Sequence, residues 1–144
     1  MRRASLLIAA TAVLCAPGAA RAACSITTTS VAFGAYDPRS ATADTGVGSI
    51  RLDCHPSDTP VIAIGTGGSG SYAQRRMTNG VSTLNYNLYT SSLMNIVWGN
   101  GTGGTLTVAA PKKISTTTIY GRIPAGQNVS AGAYSDTLIV TVNF

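Results

Sequence analysis

The 144-residue chain has no glutamate, one histidine and one tryptophan, and only 10% of its residues are charged. The lone His55 cannot build a multi-histidine metal centre, and no C-x-x-C pair stands in for one. All five acidic residues are aspartates scattered from Asp37 to Asp136, so a paired-carboxylate site would have to be gathered from distant positions. A nucleophile–histidine–carboxylate relay has only one histidine to draw on. No window keeps a helical apolar period, and no segment approaches the roughly 18 apolar residues of a membrane-crossing helix. The expectation is a protein with no cofactor, no metal and no enzymatic role.

One stretch formally fits a dinucleotide fingerprint. Gly99-Asn100-Gly101-Thr102-Gly103-Gly104 matches G-x-G-x-x-G. The motif works only where a strand feeds a helix whose N-terminus meets the pyrophosphate, and no strand–helix–strand unit surrounds it here. A strand connector is the better reading.

The N-terminus carries Arg2 and Arg3, an apolar run from Leu6 to Ala16, and Ala20-Arg21-Ala22. A basic start, a short apolar run and an A-x-A site describe a secretory signal peptide over residues 1–22, leaving one domain over 23–144. The formal charge of +5 then falls: seven Lys/Arg against five aspartates leave about +2. That small excess gives no support to nucleic-acid binding. The basic pairs Arg75-Arg76 and Lys112-Lys113 are expected to be solvated turn residues. Cys15 leaves with the signal peptide, so Cys24 and Cys54 remain, and in an exported chain they are expected to form one disulfide.

The rest of the chain is a series of short runs rich in Val, Ile, Tyr and Thr, separated by Gly, Pro, Asn and Asp. Strands are expected at Ser25–Phe33, Val47–Cys54, Pro60–Gly65, around Leu84, Tyr86 and Leu88, at Asn95–Trp98, from Leu106, at Ser115–Ile123 and at Tyr134–Phe144. Gly65–Gly70 is read as a flexible segment. The pattern predicts an all-β sandwich. In the last run Tyr134, Leu138, Val140, Val142 and Phe144 fall on alternate positions and share one apolar face, with Ile139 the main apolar residue opposite. A terminal strand this apolar is expected either to lie centrally in its sheet or to receive a strand from elsewhere.

Seven pieces in order carry a resemblance. They are Phe33-Gly34-Ala35-Tyr36-Asp37 soon after Cys24; Cys54; Arg76-Met77; Leu84-Asn85-Tyr86-Asn87-Leu88-Tyr89; Trp98-Gly99-Asn100-Gly101; Tyr120-Gly121-Arg122-Ile123-Pro124; and Gly132-Ala133-Tyr134-Ser135-Asp136. With them the chain resembles the spore coat protein U domain, a module that is also the subunit of archaic chaperone–usher pili. The resemblance implies an immunoglobulin-like sandwich lacking its final strand, which a periplasmic chaperone and then a neighbouring pilus or coat subunit supplies. It also implies an outer-membrane usher, transit through the periplasm and a final place on the cell surface. Leu138, Val140, Val142 and Phe144 are then the residues expected to face the donated strand. Gly34 and Gly99 are expected to turn the chain after a buried aromatic. Tyr134 is expected to anchor the last strand, and Asp136 to accept hydrogen bonds from a neighbouring turn.

The resemblance has one departure. A polymerising subunit of that family carries a donor segment before its first cysteine, whereas only Ala23 lies between the expected cleavage point and Cys24. The chain is therefore expected to accept a strand without giving one. The alternative is a tip adhesin-like module that binds a surface or a carbohydrate, with Trp98, Tyr72 and Tyr89 as its aromatic patch.

Overall fold

The computed structural model describes residues 24–144; the signal-peptide assignment over residues 1–22 lies outside them. Eight strands form the fold: β1 (Ser25–Ala32), β2 (Asp44–Asp53), β3 (Val61–Ile64), β4 (Arg75–Thr78), β5 (Thr83–Tyr89), β6 (Val108–Ala109), β7 (Ile114–Ile123) and β8 (Val140–Asn143). A short 3-10 turn (Gly67–Ser69) is the one helical element among the described residues. Five strands make one sheet in the order β1-β2-β7-β5-β4, and three make the other in the order β6-β3-β8. Every ladder is antiparallel.

Alternation decides which face each strand buries. In β2 the even positions Gly46, Gly48, Ile50 and Leu52 point inward, while Thr45, Val47 and Arg51 face solvent. In β7 Ile119, Gly121 and Ile123 do the same. β3 contributes Ile62 and Ile64, and β5 contributes Leu84, Tyr86 and Leu88. Trp98 is completely buried between the layers, its indole N–H donating to the Ile62 carbonyl at 3.0 Å and its backbone N–H to Leu88 at 2.9 Å. One buried residue thus ties β3 to β5 through its side chain and its backbone, and the indole is not left with an unmet donor. Cys24 and Cys54 form the expected disulfide, joining the start of β1 to the end of β2.

β1 is not flat along its length. Its register with β2 slips between Thr29 and Ala32, and the chain then leans over the inner face of the sheet. The glycines of β2 and β7 make this possible: a Cβ on Gly121 would strike the Phe33 ring and Val31, and one on Gly46 would strike the Ala32 carbonyl. Glycine is needed there for close approach rather than for an unusual φ.

Three expectations change. The basic pair Arg75-Arg76 is not a solvated turn: it lies in β4, where period-2 alternation turns Arg75 fully inward and leaves Arg76 exposed. The Asn79-Gly80 turn between β4 and β5 was the available hairpin signal. Tyr134–Phe144 is not one continuous strand. Ser135 exchanges two backbone hydrogen bonds with Thr78 of β4, and regular pairing with β3 spans only Val140–Asn143. The segment therefore crosses from one sheet to the other. Finally, Asn95–Trp98 forms only isolated bridges, from Val97 to Tyr89 and from Trp98 to Leu106.

Candidate functional site

Each sheet ends in an edge on the same side of the molecule. Among the described residues β1 bonds only to β2, and β8 only to β3. Between these two edges runs a cavity of about 320 Å³, walled by Thr28–Val31 on one side and by Leu138 and Val140 on the other. Its floor is the core itself, including Ile64, Leu88 and Ile119. A second cavity of about 620 Å³ continues past Phe33 toward Tyr36 and Val129. Phe33, Val31, Met77 and Tyr134 border both.

The geometry of β8 fixes which groups face the cavity. Gly65 N–H donates to the Ile139 carbonyl at 2.8 Å, so odd-numbered backbone groups point toward β3. In an extended strand the even-numbered groups point the other way. The N–H and C=O of Val140 and Val142 therefore lie on the edge that no strand occupies among the described residues. Leu138, Val140 and Val142 are half-buried and packed against the core. Phe144 lies past the end of β8 and is 65% exposed, and Ile139, on the opposite face, is 73% exposed.

A polar cluster supports the wall at the end where the chain changes sheets. Asp136 accepts from the Tyr86 hydroxyl at 2.7 Å through one carboxylate oxygen. Its other oxygen accepts from the backbone N–H groups of Gly68 and Thr137, both at 2.9 Å. The Gly65–Gly70 segment is accordingly a held turn. Gly67 sits at φ +66° with the carboxylate against the place a Cβ would occupy. On its other side lies Arg75, whose guanidinium donates to Gly65 O at 2.8 and 2.9 Å, Ile64 O at 3.2 Å, Trp98 O at 2.7 Å and Asn87 Oδ1 at 2.7 Å. The guanidinium also lies 5.4 Å from the Tyr72 ring centre. Burial lowers the Arg75 pKa, and the neighbouring Tyr86, Tyr72 and Asp136 act against that shift. Burial also pushes the Tyr86 hydroxyl well above the usual tyrosine range, with the bond to Asp136 and its charge adding to the effect.

The residues singled out from the sequence fall into groups. Tyr36 and Pro124 meet: the Tyr36 hydroxyl donates to Pro124 O at 3.2 Å and accepts from Gln127 N–H at 2.7 Å. Phe33 packs edge-on against Tyr86 at 5.9 Å, above Gly121. Tyr134 donates to Ser130 O at 2.8 Å. Tyr120 sits on the outer face of β7, opposite Val47 and Tyr89. Gly34 takes φ +77°, whereas Gly99 serves a close approach, since a Cβ there would strike Thr105. Phe33 itself is half-buried rather than buried. Trp98 is in the core, so the aromatic patch of Trp98, Tyr72 and Tyr89 is not a surface feature.

Sequence reasoning missed Arg75 and Asn87. Their signal was weak, because a charged residue inside a strand reads as solvent-facing until the alternation of its neighbours is followed.

The features that could suggest catalysis resolve into turns. His55 Nδ1 lies 2.8 Å from Ser57 Oγ, and Asp58 accepts from the His55 backbone N–H. That carboxylate caps the turn instead of orienting the second ring nitrogen, as a relay would require. The Gly99–Gly104 loop closes on Thr105, whose hydroxyl donates to Thr102 O at 2.8 Å, and no helix follows it. No metal-binding group of three or more suitable side chains occurs among the described residues.

The described residues form an all-β, immunoglobulin-like sandwich in which β1 and β8 border an apolar-floored groove. The chain belongs to the Spore Coat Protein U domain family, whose match runs over residues 10–141. It is 38% identical over 125 residues to Protein U of Myxococcus xanthus, covering 78% of this chain and 70% of that protein. The fold is also similar to a solved chaperone–tip adhesion subunit pre-assembly complex, CsuC–CsuE, from the archaic chaperone–usher Csu pili of Acinetobacter baumannii. That similarity has a TM-score of 0.63 at 23% identity, covering 84% of this chain and 39% of the matched one.

Proposed function

We propose that this protein is an exported structural subunit of a bacterial surface assembly, a pilus or coat, and that it accepts a donated strand between β1 and β8. The observation carrying this reading is the pair of edges, unpaired among the described residues, that flank one apolar-floored groove. An open edge beside an apolar trough is an aggregation hazard until a partner strand covers both. Family membership and the Csu fold relative support the same reading. The partners are a periplasmic chaperone during transit, an outer-membrane usher, and neighbouring subunits at the cell surface. Leu138, Val140 and Val142 line the side of β8 that meets the donated strand, and Phe144 extends that face.

Amide hydrogen exchange tests the proposal directly. In the isolated protein the Thr141 and Asn143 amides, bonded to β3, should exchange slowly while those of Val140 and Val142 exchange fast. Adding the chaperone should slow Val140 and Val142 selectively. Equal protection of all four amides in the isolated protein, or no change at Val140 and Val142 in the complex, would refute it.

A further inference from the structure

The groove has an apolar floor, and among the described residues one charged side chain lines it: Asp136. It lies on the same face as Leu138 and Val140, on the alternate position before them, and is half-buried. One carboxylate oxygen already holds two backbone N–H groups, those of Gly68 and Thr137. Among the described residues the other holds only the Tyr86 hydroxyl, and a carboxylate oxygen has room for a second donor. The carboxylate cannot swing out of the groove, because Gly67 and Gly68 seat it and Tyr86 is itself packed by Phe33.

A strand laid along the β8 edge would pass over this oxygen and close it off from solvent. An apolar side chain there would leave a lone pair of a charged group unmet, which is costly in a site closed from solvent. A hydrogen-bond donor would meet it. We propose that the strand received by this groove is apolar at its inward positions except the one over Asp136. There it carries a donating side chain, a hydroxyl, amide or ammonium, and the Asp136 carboxylate reads that residue and sets the register. Register needs such a device: a uniformly apolar, alternating strand could slip by two residues and still bury the same face. This inference rests on the strand-acceptor reading above and names the chemistry of the occupant.

The test uses the full chain, secreted, with a flexible turn and a twelve-residue strand of alternating Val and Thr added after Phe144. The added strand runs antiparallel back along β8, so the position over Asp136 lies toward its far end. Each inward Val is replaced in turn by the isosteric Thr, and separately by Asp, and the melting temperature is measured. Val→Thr should lower it by roughly 4–8 °C at the apolar positions, and should leave it unchanged or raise it at the one position over Asp136. Asp should be worst at that same position. In Asp136→Asn, which keeps a carbonyl oxygen for Gly68 and Thr137 but turns an amide N–H toward the strand, the selective penalty on Asp should vanish. Tyr86→Phe keeps the charge and should preserve it. If Asp136→Asn does not fold, the Thr-against-Asp contrast in the unmodified groove, and its weakening in high salt, decides the point. Equal losses for Thr at every inward position would overturn this inference alone. No gain from the Val/Thr strand over the unextended chain would overturn the strand-acceptor reading and this one with it.

Discussion

Replacing Arg75 is expected to damage the fold more than replacing any other charged residue, although the sequence gives it no special mark. The side chain is completely buried, and all its hydrogen bonds go to neutral acceptors on four residues: Ile64, Gly65, Asn87 and Trp98. Arg75→Met would fill similar space but leave the Ile64, Gly65 and Trp98 carbonyls without that donor, while Asn87 Oδ1 keeps the Leu88 N–H at 3.0 Å. At about 1–3 kcal/mol for each unsatisfied buried group, the loss is about 3–9 kcal/mol. That is comparable to the whole stability of a domain of this size, about 5–15 kcal/mol. The favourable side of the exchange, removing a buried charge, offsets only part of it, because the carbonyls stay where they are. Arg75→Lys keeps a cation but offers three donors from one point instead of a planar fork. It should leave at least one acceptor unmet and cost about 1–3 kcal/mol. Equilibrium urea unfolding, followed through the fluorescence of Trp98, measures both variants at the affected site, since Trp98 O is one of the acceptors. Arg75→Met folding with wild-type stability would show that the carbonyls find water or other donors, and that the cluster does not hold the turn between β3 and β4.

Other outcomes follow from the same contacts. The raised Tyr86 pKa means that the unfolded chain loses this proton at about pH 10 while the folded chain keeps it. Stability should therefore be complete below that pH and fall as pH rises above it; urea midpoints across alkaline pH should show a shallower fall in Tyr86→Phe. Removing the Cys24–Cys54 link, which closes a separation of 30 residues, should cost about 3–4 kcal/mol, measured as a lower denaturation midpoint in Cys24→Ser/Cys54→Ser. Unchanged stability on reduction would contradict it. Val140→Asp should abolish chaperone capture in a pull-down, since each apolar side chain desolvated in the pairing contributes roughly 1.5–3 kcal/mol. Thr141→Asp, on the exposed face, should retain capture, and the reverse pattern would invert the assigned facing.

The sequence by itself determined the architecture, because period-2 alternation and turn residues are local signals. β2, β3, β5 and β7 each fall within a few residues of where Val, Ile, Leu and Tyr alternate, and the disulfide followed from counting cysteines in an exported chain. The ordered motifs from Phe33-Gly34 to Tyr134-Ser135-Asp136 identified the family before any coordinate did. What alternation could not supply was the partner of each edge. Leu138 and Val140 were legible as one face, but only the sheet order put that face opposite β1 across a groove. The split of the last run between Thr78 and β3 was likewise invisible, because an extended chain reads the same whichever sheet it joins. Arg75 and Asp136 show the limit most clearly. Their meaning depends on acceptors and donors 10 to 68 residues away in sequence, and nothing local to either residue records that distance. Patterning is a property of neighbours along the chain, while satisfaction of a buried charge is a property of neighbours in space, and only the tertiary structure brings the two together.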